Sequence, residues 1–158
     1  MSIATTDLCD QFENDIHAGL IHVLPPVFQS FGQAQAFHGQ AVTFKVFEDN
    51  TVIKKALEND NGTGKVMVID GGASVRCALV GGNIAKAGTQ NGWAGIVVDG
   101  CVRDTGEINE LAIGVRALAA MPSAALRGLT SPTGPRSGAA WTSPSRASID
   151  SRARRRRR

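Results

Sequence analysis

DGGASVRCALVGGNIAKAGTQNGWAGIVVDGCVRD, from Asp70 to Asp104, holds two apolar runs, two glycine-marked turns and a terminal Arg103-Asp104 pair. Ser74 to Val80 has the composition of a strand. Gly81-Gly82-Asn83 then opens a helix carrying Ile84, Ala85 and Ala87-Gly88, and Asn91-Gly92 supplies its C-cap. Ile96 to Val98 is a continuous apolar run, as in a strand buried on both faces, closed by Asp99-Gly100. With hydrophobic content of 42% and aromatic content of only 5%, the core falls to Val, Ile, Leu and Ala, which suits an α/β protein with buried strands. Asp104 to Glu107 (DTGE) can start a further helix as a variant capping box.

Working outward, Val66 to Ile69 reads as another buried strand, separated from Ser74–Val80 by a turn at Gly71-Gly72. Gln40 to Phe47 alternates, with Val42, Phe44 and Val46 on one face, and predicts a strand. Glu48-Asp49-Asn50 offers N-caps for a short helix with the stripe Val52, Ile53, Ala56 and Leu57. Toward the N-terminus, Thr5 or Thr6 can cap a helix whose apolar side is Leu8, Phe12 and Ile16. Pro25-Pro26 ends it, and Phe28, Phe31 and Phe37 seat the connection on the body. On the C-terminal side, Ile113 to Leu118 predicts the last strand.

Residues 1–122 carry 8 Lys and Arg against 13 Asp and Glu, whereas residues 123–158 carry 9 Arg and one acid. The overall charge of +3 is therefore set by the tail, and the body is mildly acidic. Charge gives no support for specific nucleic-acid binding, although the terminal arginines can touch phosphates without specificity. No apolar run reaches the ~20 residues of a membrane span. The acidic start, MSIATTDLCDQFEND, lacks a signal-peptide core, so a cytoplasmic location is expected. Cys9, Cys77 and Cys101 have no disulfide or zinc spacing and read as small buried residues. His17, His22 and His38 lie at no ligand spacing. After Pro122 the chain turns to Ser, Pro, Ala and Arg, which predicts one domain over 1–122 and a disordered tail over 123–158.

Two places can carry chemistry. A helix opening at Gly81-Gly82-Asn83-Ile84 presents unpaired amides and the positive end of the helix dipole to an anion, though many such glycine pairs are simple turns. Arg103 offers a planar fork to a carboxylate and Asp104 a hard oxygen to Mg²⁺ or Mn²⁺. The same pair also fits an N-cap at Asp104 with Arg103 reaching Glu107. Asp70 and Asp99 each suit a turn, or a position behind a metal ligand.

The combination TTDLCDQFEND, VFEDN at 46–50, VIDGGASVRCALVGGNIA at 68–85, NGWAGIVVDGCVRD at 91–104 and IGVRALAAMP resembles the RraA family over residues 4–122. That family comprises regulators of ribonuclease E activity and class II aldolases acting on 4-hydroxy-4-methyl-2-oxoglutarate. The resemblance implies a β/β/α swivelling-domain fold and a homotrimer with sites at subunit interfaces. It implies that Gly81, Gly82, Asn83 and Ile84 bind the carboxylate of a small keto acid, that Arg103 binds its keto-acid end, and that Asp104 holds a divalent cation, Mg²⁺ or Mn²⁺. Aldol cleavage to pyruvate, with oxaloacetate decarboxylation as a second reaction, would follow, since both pass through a pyruvate enolate that the guanidinium and the cation stabilise. The alternative is a non-catalytic protein that binds and inhibits ribonuclease E. Two departures stand out. Aldolases of the family often carry an acidic residue at the position of Gly82, and the family's C-terminal strands are replaced here by the Arg/Ser/Pro tail, as after a change of reading frame shortly past Pro122.

Overall fold

A computed structural model describes residues 4–125 and 136–137. The helices are α1 (Thr5–Gln11), α2 (Glu13–His17), α3 (Thr51–Asn59), α4 (Gly82–Gln90) and α5 (Thr105–Asn109). The strands are β1 (Gln29–Phe31), β2 (Gln40–Lys45), β3 (Lys65–Val80), β4 (Gly95–Val102), β5 (Gly114–Ala120) and β6 (Arg136–Ser137). They form one sheet in the order β1-β5-β4-β3-β2-β6. Strands β2 to β5 run parallel, each joined to the next through a helix, and β1 and β6 close the edges antiparallel.

The buried stretches of β3, β4 and β5 are built from Val, Ile, Ala and Met, as in parallel strands covered on both faces, whereas β2 buries only Phe44. Met67, Ile69, Ile96, Val98, Val102 and Val115 are among the fully buried side chains. Helix α3 adds Ile53 and Leu57, both wholly buried, and α4 lies beside it where Gly88 leaves room for Leu57. The C-terminus of α4 is closed as expected. Gly92 takes φ 78°, its N–H donates to Thr89 O, and Trp93 N–H donates to Gly88 O. Those two bonds make a Schellman motif. Phe37 lies flat on Gly95 and Gly114, where any side chain would collide with its ring, and Arg116 covers the ring at 5.3 Å.

Four expectations change. Val66–Ile69 and Ser74–Val80 belong to one strand, β3; Gly72 (φ 67°) and Ala73 (φ 55°) kink it without ending it, and the register to β4 shifts between Asp70 and Ser74. The N-cap of α1 is Ala4, with no side-chain cap, and the Leu8–Phe12–Ile16 stripe is split at Phe12 into two helices. Gln29–Phe31 is an edge strand that no alternation foretold. Finally, Asp104 makes no side-chain cap on α5. Of the segment after Pro122, Ser123 to Ala125 hydrogen-bond with Ala78, and Ala125 is buried. Arg136–Ser137 pairs with β2. The rest of the expected disordered tail lies outside the described residues.

Candidate functional site

Parallel strands joined through helices put their strand-to-helix turns at one edge of the sheet, the usual place for a ligand in this architecture. Val80 and Val102 are register partners, and Arg103 N–H donates to Val80 O at 3.0 Å. The residues that follow each strand, Gly81 and Arg103, therefore start side by side. Gly81 is the N-cap of α4 in extended conformation. A Cβ added to it would stand 3.0 Å from Asp104 Oδ2 and 3.2 Å from Arg103 Cγ. The bare glycine is what lets this pair lie across the helix start.

Asp104 adopts the left-handed conformation, φ 55° and ψ 43°. Asp tolerates that region better than most residues, at a cost on the order of 1 kcal/mol. An N-cap side chain reaches its own helix from extended backbone, so this turn denies α5 its capping box. The carboxylate goes to α4 instead. Oδ2 accepts from Gly82 N–H at 3.3 Å and from Arg103 Nε at 3.1 Å. Arg103 is thus paired with Asp104 and not with Glu107. The Glu107 side chain lies over Gly82, where an added Cβ would be 2.9 Å from its Cβ and Cδ. A carboxylate therefore covers Gly82 from outside, in the space that a side chain at 82 would fill.

A cleft of about 370 Å³ opens at this edge. Gly81, Asn83, Ile84, Arg103 and Asp104 line it, while Gly82 is buried with its N–H given to Asp104. The turn between β2 and α3 adds Asn50, and α3 itself adds Lys54 and Glu58, none of which sequence reasoning marked as part of the site. Asn50 Nδ2 donates to Leu79 O at 3.1 Å, tying this turn to the end of β3, and its Oδ1 is buried without a partner. Ala78, Ala124 and Ala125 complete the wall. Lys54 pairs with Glu58 at 3.6 Å, both side chains more than two-fifths exposed. Their signal in the sequence was slight: they flank the Ile53–Leu57 stripe of α3, as charges at the edge of a buried face usually do.

Other candidates lie elsewhere. Asp70 and Asp99 are register partners on β3 and β4, and neither lines the cleft. Asp70 Oδ1 accepts from Gly72 N–H, and Asp99 Oδ2 accepts from Ala73 N–H, both at 3.1 Å, so each braces the kink in β3. Burial, then the charge of Asp70, pushes the Asp99 carboxyl up from its ordinary value. Burial also raises the Cys77 and Cys101 thiols, which disfavours the reactive thiolate. All three cysteines are free. The three histidines are exposed and none borders the cleft.

Among the described residues, no three His, Cys, Asp or Glu side chains gather as a metal cage. Mg²⁺ does not require one: it commonly keeps several waters and takes one or two carboxylates. Asp104 suits that role, since Gly82 N–H and Arg103 both hold Oδ2 and so aim the carboxylate at the cleft. The donor set therefore fits a single-carboxylate, largely hydrated cation.

Comparison with known proteins follows the same lines. The RraA-like family, described as Aldolase/RraA, matches residues 5–133. A relative from Paraburkholderia phymatum, provisionally named 4-hydroxy-4-methyl-2-oxoglutarate aldolase, is 58% identical over 122 residues, which is 77% of this chain and 74% of that protein. One of the same name from Burkholderia mallei is 57% identical over 77% of this chain and 73% of its own. Among solved structures, the RNA-processing inhibitor RraA of Thermus thermophilus superposes with TM-score 0.75 at 45% identity, covering 82% of this chain and 75% of that one. A Geobacillus kaustophilus protein described as an S-adenosylmethionine:2-dimethylmenaquinone methyltransferase gives 0.73 at 38% identity, over 81% and 76%. With the family match spanning most of its length and relatives this similar, the chain belongs to the RraA-like family.

Proposed function

We propose that this protein is a divalent-metal-dependent carbon–carbon lyase that cleaves 4-hydroxy-4-methyl-2-oxoglutarate to pyruvate and decarboxylates oxaloacetate at the same site. One observation carries this conclusion: the Arg103 guanidinium and the Asp104 carboxylate lie together across Gly81, at the N-terminus of α4, in one cleft. The aldolase name borne by relatives up to 58% identical supports the substrate.

Each residue has a physical task. The amides of Asn83 and Ile84, for which the helix itself supplies no acceptor, receive the carboxylate next to the keto group, and the helix dipole favours its charge. Gly81 keeps a side chain out of that approach, and Gly82 gives its N–H to Asp104. Arg103 donates to the keto oxygen, where negative charge grows as the C3–C4 bond breaks. Asp104 would hold the cation, Mg²⁺ or Mn²⁺. When bound, that ion supplies Lewis-acid stabilisation of the same oxygen. In the cleavage, the 4-hydroxyl loses its proton, C4 becomes the carbonyl of one pyruvate, and C3 takes up a proton to complete the second. Oxaloacetate loses CO₂ to give the same enolate, so one arrangement serves both reactions.

The test is pyruvate release followed through lactate dehydrogenase. Asp104→Ala should lower kcat/KM by at least about a hundredfold, and EDTA should abolish turnover of the parent protein. Undiminished release by the variant would refute the assignment. A second reading, a regulator that binds ribonuclease E, draws on the 45% identity to a protein described as an RNA-processing inhibitor and on the acidic body. It needs no cation, so nuclease capture that survives EDTA, with no pyruvate formed, would favour it.

A further inference from the structure

We infer that Lys54 is the anchor for a second, distal carboxylate, so that the cleft selects 2-oxo dicarboxylates over 2-oxo monocarboxylates. This rests on the lyase reading for the orientation of the substrate and goes beyond it by naming the residue that sets the acid class.

The argument begins with the cleft's cations. Two line it: Arg103, from the turn after β4, and Lys54, from the first turns of α3. They arrive from different junctions, with the Gly81–Ile84 helix start between them along the sheet order β4-β3-β2. A ligand carboxylate seated on the α4 amides beside Arg103 therefore has its far end directed toward α3. Helix α3 is a firm base for this. Ile53 and Leu57 are wholly buried, and the bond from Asn50 to Leu79 O fixes its entry.

Lys54 is also available. Its partner Glu58 stands at 3.6 Å, and the two side chains are 43% and 42% exposed. Exposed i,i+4 pairs contribute little to stability. Little is lost when the ammonium swings from Glu58 to a ligand, and Glu58 keeps it near the cleft until then.

Charge balance points the same way. Among the residues that line the cleft, Lys54 and Arg103 balance Glu58 and Asp104, with the Glu107 carboxylate just outside over Gly82. A doubly charged keto acid arriving with a divalent cation preserves that balance. A monocarboxylate with the same cation leaves one positive charge unmatched at the α3 end.

The test is calorimetric titration in Mg²⁺ with two ligands that cannot undergo the cleavage. These are 2-oxoglutarate, which has the distal carboxylate, and 2-oxopentanoate, which lacks it. The parent protein should bind 2-oxoglutarate more tightly. Lys54→Gln should weaken 2-oxoglutarate about tenfold, leave 2-oxopentanoate within twofold, and so erase the preference. Lys54→Arg should retain most of it. No preference in the parent protein, or a preference unchanged in Lys54→Gln, overturns the inference. Because binding is measured apart from turnover, the two conclusions separate. A Lys54-dependent preference without pyruvate release leaves the anchor standing and removes the lyase; release with an unaltered preference does the reverse.

Discussion

Asp99 shows how much a single residue's surroundings decide. Its carboxylate sits beside Asp70 on the neighbouring strand, and Lys45 reaches Asp70 at 3.7 Å. Burial and the Asp70 charge hold the Asp99 proton above the ordinary carboxylate range. The folded chain thus keeps a proton that the unfolded chain has released, and the linked stability falls as pH rises from about 4 through the raised value. Above that window the fold carries an unfavourable charge. Asp99→Asn removes it while keeping an oxygen to accept from Ala73 N–H. The variant should melt at higher temperature than its parent at pH 7, with the gap shrinking toward about pH 4, as differential scanning calorimetry can show. A lower melting temperature at pH 7 would mean that the Ala73 bond outweighs the charge. At this scale the sequence was partly legible. Arg103, Asp104 and the glycines were visible as chemistry. The left-handed turn at Asp104, which diverts its carboxylate from α5 to Gly82, was not, because Asp is allowed in either conformation.

Elements were more legible where local chemistry decides them. Helix α4 follows from Gly81-Gly82 at one end and Asn91-Gly92 at the other, and both ends are as expected. Strand β3 was read as two because glycine pairs usually end strands, whereas here β4 pairs on both sides of the kink and carries it through. Edge strand β1 has only three residues, QSF, and exists because β5 offers it a backbone partner. Lys54 and Glu58 escaped notice for a related reason: joining α3 to the cleft depends on the register of β2 with β3, which no single segment encodes. The seam between α3 and α4 is the element contact on which the cleft depends. Leu57, wholly buried, packs into it against Gly88. Leu57→Ala should cost about 2–5 kcal/mol, read as a lowered urea midpoint at constant slope. A loss below about 1 kcal/mol would show that the seam closes around the smaller residue.

Across the whole molecule, the N-terminal helices stand out, since neither α1 nor α2 buries a residue. Leu8, Phe12, Ile16, Ile21, Val23 and Leu24 line an apolar groove, and Leu20 and Val27, close to it in sequence, are exposed. Patches of this kind mark contact with another molecule. The homotrimer proposed for the family accounts for it if the arm rests on a neighbouring copy. Sedimentation equilibrium should give three times the chain mass, and Leu8→Asp with Ile16→Asp should shift the protein toward monomer. A monomeric parent protein would exclude this arrangement. The cleft, for its part, is assembled from three strand-to-helix junctions, those after β2, β3 and β4. Drift in one corner can therefore be tolerated by the other two. A lineage that traded the lysine on the third helix for another side chain would change its diet without surrendering its grip on the common end of every meal.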